Sequence, residues 1–315
     1  MLRILFTNIG RKTYFLDFAV DLKNLGYPIE LHVSDRTYLA AGLNSHSIIK
    51  RHILPSVLKN KEKYIKELYN LVKKNKINTI IPLTDYDLDV LALNIVKFKK
   101  IGCYIIVSKI SVVKTCFNKI LTFKKLNSNN ILTPKIIELN NDTTKTLPLI
   151  KKNIFGSGSS GFKIIKNEDD LKKLNMNTNF LQKFIKGKEY GVDILNDLKG
   201  NFISLCIKKK LSMRSGETDK AEIIYDNKIT YFCKKISKVI GHYGNLDCDI
   251  IKDKNGRLFC VDLNPRFGGG YPATHLAGMN YLRVIFDILL KKKYFLPIKP
   301  KKIRVLKGVS VHVIK

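Results

Sequence analysis

Residues 247–270 read DCDIIKDKNGRLFCVDLNPRFGGG, and the run Asp253-Lys254-Asn255-Gly256 splits the stretch into two apolar segments joined by a turn. Strands joined by so short a turn run antiparallel, so counting outward from it brings Asp249 near Asp262. Asn264, two residues on, points to the same face as Asp262. Carboxylates on otherwise apolar strands are expensive to bury alone. Hard oxygen ligands clustered in this way suit Mg²⁺ bound jointly to protein and substrate phosphates. Directly after them come Pro265-Arg266-Phe267-Gly268-Gly269-Gly270. The three glycines permit close backbone approach to an anion, and the planar fork of Arg266 can grip a carboxylate or phosphate.

Upstream, Gly156-Ser157-Gly158-Ser159-Ser160-Gly161 has the composition of a linker. Its flanks argue for a hairpin instead, because Leu147-Pro148-Leu149-Ile150-Lys151-Lys152 precedes it and Phe162-Lys163-Ile164-Ile165 follows. The unencumbered N–H groups of such a loop can close over phosphate oxygens. Lys152 is the better candidate for the accompanying point charge and Lys151 the alternate. A third segment, Phe180 to Asp193, reads as strand, turn and strand, and its meaning comes only from its place in the order.

The first hundred residues alternate short apolar runs with amphipathic stretches, the signature of β-α-β units on a parallel sheet. Strands are expected at Leu2 to Phe6, Ile29 to Val33, Thr79 to Leu83 and Tyr104 to Val107. Helices are expected at Thr13 to Leu25, stopped by Gly26, and around Ile65, Leu68, Tyr69 and Val72. In such sheets ligands bind beyond the carboxyl ends of the strands, here Asn8-Ile9-Gly10-Arg11, Ser34-Asp35, Thr84-Asp85 and Ser108-Lys109. The first turn lacks G-x-G-x-x-G, so neither NAD nor FAD is expected. After about residue 110 the texture becomes that of an α+β domain. The run Ile303-Val305-Lys307-Val309-Val311 reads as a closing strand after a basic stretch, Lys291 to Lys302.

The balance of 57 Lys+Arg against 26 Asp+Glu gives a formal charge of +31. The lysines are scattered through every segment among many Asn and Ile, which is the pattern of a solvated basic surface rather than a polyanion-binding arm, so no specific nucleic-acid partner is expected. The N-terminal apolar run is too short for a signal peptide, and no stretch approaches the roughly 18 apolar residues of a membrane span, so a cytoplasmic protein is expected. Cys103, Cys116, Cys206, Cys233, Cys248 and Cys260 contain no C-x-x-C pair. They read as small buried hydrophobes.

Taken in order, these pieces resemble the ATP-grasp superfamily over about residues 110 to 290, in its carbamoyl-phosphate-synthase-like and D-alanine:D-alanine-ligase-like branches. The order is a lysine opening a helix (Asn118-Lys119), a strand with a Gly/Ser loop (Pro148 to Gly161), a hinge ending in G-x-E (Gln182 to Glu189), and two aspartates with 12 residues between them, the second opening D-x-N-P-R. The resemblance implies an α/β Rossmann-like domain preceding the grasp over residues 1–109. An α+β ATP-grasp domain of two subdomains then follows, at 110–185 and 186–290, and residues 291–315 form the tail. It also implies that Lys119 and Lys152 hold the ATP phosphates, with Ser157, Gly158, Ser159 and Gly161 in the closing loop. Gln182 opens the hinge, Lys183 and Ile185 offer backbone groups to adenine, and Glu189 holds the ribose. Lys210, Arg214 and Arg266 approach the transferred phosphoryl group, and Asp249, Asp262 and Asn264 bind Mg²⁺ or Mn²⁺. Asn118, Gln182 and Asn153 stand where an acidic residue, Glu and Pro are commoner in the family, and Asp262 stands where Glu is commoner.

The expected activity is an ATP-dependent carboxylate–amine ligase working through an acylphosphate on small-molecule substrates, an amino acid or other small carboxylate and an amine, with a homodimer as a further expectation. Its rivals are a carbamoyl-phosphate-synthase- or carboxylase-like activation of bicarbonate and a non-catalytic nucleotide-binding protein. Asn8 to Arg11, Asp35, Asp85 and Tyr271 to His275 are the expected substrate wall.

Overall fold

The structure, a computed structural model, describes residues 1–45, 49–139, 143–156, 161–172, 174–214, 216–308 and 311. Its first unit comprises β1 (Leu2–Thr7), α1 (Tyr14–Asn24), β2 (Ile29–Asp35), α2 (Ala41–Asn44), β3 (Lys50–Ile53), α3 (Lys61–Asn75), β4 (Thr79–Pro82), α4 (Leu88–Leu93), α5 (Ile95–Lys99) and β5 (Tyr104–Ile105). The five strands form a parallel sheet in the order β3-β2-β1-β4-β5. Because the chain winds outward from β1 in both directions, a crevice opens beyond the carboxyl ends of β1 and β4. Of the apolar faces that the spacing marks, Phe15, Phe18, Ala19 and Leu22 on α1 and Ile65, Leu68 and Val72 on α3 are buried, Tyr14 and Tyr69 are partly buried, and Leu25, at the end of α1, is exposed. Strand β3 escaped the sequence reading because Lys50, Arg51 and His52 form a polar edge with no apolar run. Pairing at β5 stops at Ile105, two residues short of the expectation.

Helices α6 (Ile110–Phe117) and α7 (Lys119–Asn127) lead into β6 (Ile136–Ile137), β7 (Leu149–Asn153), β8 (Lys163–Ile165), α8 (Glu168–Lys172) and β9 (Asn179–Lys183). Their antiparallel sheet has the order β6-β9-β7-β8. The rest of the chain supplies β10 (Gly187–Asn196), β11 (Phe202–Arg214), β12 (Glu217–Ile224), α9 (Asn227–Ile240), β13 (Gly244–Asp253), β14 (Leu258–Asn264), α10 (Tyr271–Leu276), α11 (Tyr281–Leu289) and β15 (Arg304–Leu306). This sheet is antiparallel, in the order β14-β13-β10-β11-β12-β15. The tail's strand is thus an edge strand on β12, confined to three residues. Val309 lies outside the described residues and Val311 outside the strand.

One core joins the first sheet to the last. Phe15 of α1 packs edge-on against Phe267 at 5.1 Å between ring centroids and stacks on Tyr271 at 5.4 Å, and α11 completes the same apolar cluster. The glycine-rich segment after β14 is thereby held against the N-terminal unit. All six cysteines are buried free thiols. Among the described residues no helix is long and apolar enough to cross a membrane.

Candidate active site

Strands have a side-chain period of two, and the large sheet exploits it. Val192, Ile194, Ile207, Leu246, Cys248 and Ile250 enter the core beneath α9. Their alternates on the same strands, Asp193, Lys208, Lys210, Asn245, Asp247 and Asp249, therefore come to the opposite face, a charged floor. Gly191 leaves the space between them: a methyl group there would lie 3.3 Å from Lys208 and 3.6 Å from Asp249.

At one end of this floor the predicted nucleotide and metal residues converge. Asp249 and Asp262 are cross-strand partners, and the Asn264 amide lies 3.4 Å from Asp262. The Lys119 ammonium pairs with Asp262. Its helix start is fixed by its own N–H, which donates to Ile154 O at 3.0 Å, and by Asn118, whose side chain caps α7 by accepting from the Leu121 N–H. Lys152 donates to the Val261 carbonyl at 3.1 Å. Lys210 pairs with Asp249 at 2.8 Å and reaches Glu189 at 4.0 Å. Burial drives the Lys152 ammonium below its ordinary pKa, against the pull of Asp262. Burial also works against ionised Asp262, but Lys119 and Lys152 outweigh it and hold the carboxyl below its usual range. For Lys210 burial is outweighed by Asp249, which raises it.

Among the described residues no three His, Cys, Asp or Glu side chains converge as a cage for a cation. Two carboxylates and an amide, all hard oxygen donors, fit a divalent cation that arrives with further oxygens from a phosphate chain. The predicted hinge residues lie in β9 and just after it. Gln182 is buried and its amide donates to the Pro134 carbonyl at 3.2 Å, while the Lys183 N–H is used by the Lys135 carbonyl. Ile185 lies in the connection from β9 to β10. Ser157, Gly158 and Ser159 lie outside the described residues. Gly161 closes the same loop at φ +75°, where a methyl group would overlap the Asn153 amide.

The middle of the floor belongs to Arg266. Its guanidinium binds Asp85 at 2.9 and 3.2 Å and Asp247 at 3.2 Å, so a residue of the N-terminal unit and one of the large sheet share a single cation. Asp247 is pushed up to about 6 by burial and by the like charge of Asp249, against Lys208 and Arg266. Beneath it, fully buried Asp193 is gripped by Lys208, Thr274 and Asn245, and Asn245 also donates to the Arg266 carbonyl at 3.2 Å. Gly270 is packed on Lys208 and Gly268 on Asp247, close enough that a methyl group at Gly268 would overlap that carboxylate.

Lys210, Asp247, Asp249, Asp262, Asn264, Arg266 and Gly270 line a cavity of about 700 Å³ between the two units, together with Lys12 and Glu217. Not every predicted residue reaches it. Arg214 sits at the exposed far end of β11, 3.8 Å from Asp219. Asp35 accepts from the Gly10 and Arg36 N–H groups and so shapes the first turn. Tyr271 is core, with its hydroxyl accepting from the Leu282 N–H, and His275 stacks on Phe18 at 3.6 Å. Ser108 accepts from the Tyr243 N–H. Asp85 and Thr84 do line the cavity. The sequence reading missed Lys12, Asp193, Lys208, Asp247 and Glu217. The alternation Asn245/Asp247/Asp249 and Lys208/Lys210 on apolar strands was the signal for the sheet residues. Lys12 stands one residue past the turn singled out and carried no such signal.

Comparison with known proteins agrees with this architecture. Residues 116–270 match the ATP-grasp domain family, and residues 4–106 match the PylC-like N-terminal domain family. The chain belongs to the ATP-grasp superfamily, with a PylC-like domain in front of the grasp. It is similar to the 2-oxoglutarate carboxylase small subunit of Hydrogenobacter thermophilus, at 24% identity over 149 residues that cover 41% of this chain and 32% of that one. The match thus spans about a third of that relative's length. Among solved structures, the L-amino acid ligase from Bacillus licheniformis superposes with a TM-score of 0.71 at 15% identity, covering 92% of this chain and 74% of that one. The biotin carboxylase domain of the Hydrogenobacter thermophilus 2-oxoglutarate carboxylase, solved with MgADP and bicarbonate, gives 0.72 at 15% identity over 95% of this chain and 72% of that one.

Proposed function

We propose that this chain is an ATP-dependent carboxylate–amine ligase that forms an acylphosphate and releases ADP and phosphate, acting on an amino acid or another small carboxylate. The carrying observation is the convergence of Lys119 and Lys152 with Asp249, Asp262 and Asn264 at one end of a cavity whose middle is held by Arg266. Lys119 and Lys152 bind the ATP phosphates, Glu189 the ribose, and the backbone of Lys183 and Ile185 the adenine edge. Asp249, Asp262 and Asn264 would hold Mg²⁺ or Mn²⁺ against the phosphates, where the cation neutralises charge on the transferred group. Lys210 and Arg266 face the same group from the floor.

A substrate carboxylate oxygen attacks the γ-phosphorus and ADP leaves; the amine nitrogen of the second substrate then attacks the acyl carbon and phosphate leaves. Positioning and charge neutralisation suffice for both steps, and neither requires a protein nucleophile. Among the described residues the cavity lining holds no histidine, and its one cysteine, Cys116, is pushed far above the thiol range by burial.

The likeness to a carboxylase small subunit favours one second reading, bicarbonate as the activated carboxylate. Phosphate release from ATP and Mg²⁺ is measured across amino acids, other small carboxylates and bicarbonate, each with and without amines, with the product identified by mass spectrometry. Phosphate with an amide product supports ligation, and phosphate with bicarbonate alone supports the second reading. Failure to bind ATP would overturn both.

A further inference from the structure

Beside Arg266 the cavity is lined by Lys12, just past the turn after β1, and by Glu217 at the start of β12. Arg266 carries two carboxylates there, and Glu217 is held by Lys307 of the tail at 3.1 Å. Lys12 is placed differently. Its ammonium donates to the main-chain carbonyl of Leu83, and among the described residues no carboxylate stands within ion-pair distance of it. Asp85, Glu217 and Asp247 act on it only through space, and Arg266 opposes them. A partly desolvated ammonium without a counter-ion is unfavourable, so burial, aided by Arg266, pulls its pKa down to about 8. Two residues further on, the Tyr14 hydroxyl is buried with no hydrogen-bond partner, in the field of Glu217, Arg266 and Asp247.

The nearest parallel is Lys152. It too rests its ammonium on a main-chain carbonyl, and it too is depressed by burial. Lys152 stands at the end assigned to phosphates. Lys12 stands at the other end, where the carboxylates that could neutralise it are engaged by Arg266 and Lys307. An incoming anion can therefore dock on Lys12 without breaking an existing ion pair, whereas at Arg266 it would have to displace Asp85 or Asp247.

We propose that Lys12 binds a carboxylate that the reaction does not consume: the amine substrate is an amino acid whose α-carboxylate docks on Lys12 while its nitrogen faces Arg266 and Asp247. This rests on the ligase reading above. It adds a specificity-determining residue delivered by the N-terminal unit and commits the amine substrate to the amino-acid class.

The test offers each of the twenty amino acids and its α-carboxamide as amine donor to one fixed amine-free carboxylate that the phosphate-release panel shows to be activated, subtracts the phosphate each donor releases without that carboxylate, and compares wild type, Lys12→Met and Lys12→Arg. Wild type is expected to prefer the free acid at least about tenfold in kcat/KM. Lys12→Met should lose at least about tenfold on the free acid through KM, with KM for ATP and activity on the amide unchanged, and Lys12→Arg should restore part of the preference. Equal use of acid and amide by wild type, or an unchanged ratio in Lys12→Met, overturns the proposal, as does a parallel rise in KM for ATP. Calorimetric titration of the same amino acids into wild type and Lys12→Met, with MgADP present, separates the two readings. If no pair releases phosphate the ligase reading fails, while amino-acid binding that is lost in Lys12→Met still supports Lys12, and binding that is indifferent to the substitution, or absent from wild type, overturns it.

Discussion

The two ends of the cavity use the same device with different supports. At the end proposed for the phosphates Lys152 rests on the Val261 carbonyl, and its neighbours Asp249, Asp262 and Asn264 come from one hairpin. At the inner end Lys12 rests on the Leu83 carbonyl, and its neighbours Asp85, Glu217 and Arg266 come from three segments that meet only because two units pack together. The contrast teaches that a site built on one sheet is positioned by strand register, which is local. A site built across units is positioned by the core of Phe15, Phe267, Tyr271 and α11.

The comparison breaks most sharply at Asp262. Asp262→Asn is expected to lower phosphate release on the order of 100-fold or more at saturating Mg²⁺, because a charged ligand is lost, while register and packing survive. Unchanged turnover would remove the phosphate end from its assignment.

Arg266→Met tests the junction of the two ends. It strands Asp85 and Asp247 in a buried wall, where breaking such a pair costs about 3–5 kcal/mol. A clear fall in melting temperature is expected, with partial recovery when Asp85→Asn is added. A melting temperature unchanged in Arg266→Met would mean that the shared cation does not hold the units together.

Lys152→Ala should raise KM for ATP about tenfold, worth about 1.4 kcal/mol, and Lys151→Ala should leave it alone. Neighbours on β7 face opposite ways, and only the Lys152 ammonium reaches Val261. The reverse result would shift the register by one.

The smallest effect belongs to Lys12. Its pKa of about 8 lies below the ordinary 10.5, so between those values the unfolded chain binds more protons and stability rises with pH. Near neutral pH, where the folded protein still carries the unfavourable charge, Lys12→Met should therefore raise the melting temperature by about 1–3 °C while damaging function. The gain should fade as the pH passes from 8 toward 10.5. A melting temperature that falls instead would make Lys12 a structural cation.

Much of the site was legible because hairpins translate sequence spacing into distance. The turn at Asp253–Gly256 was enough to set Asp249 against Asp262, and the apolar flanks of Gly156 to Gly161 were enough to mark the hairpin of β7 and β8. Arg214 shows the limit: on a strand bearing Lys208 and Lys210, it is not among the cavity-lining residues while its neighbour Met213 is, because β11 shifts register between Lys210 and Met213. Tyr271 and His275 followed a glycine run that reads as a loop, yet α10 turns them into packing for α1.

The sequence by itself determined the parallel first sheet, the antiparallel hairpins and the order of charged motifs, since apolar periodicity and turn residues act over a few positions. Only the tertiary structure decided that Asp85, 181 residues from Arg266, shares its guanidinium with Asp247, and that Lys12 keeps an ammonium on Leu83 with no carboxylate of its own among the described residues. Those pairings depend on how two independently patterned units bury a common core, and no local spacing encodes the distance between residues that only that packing brings together.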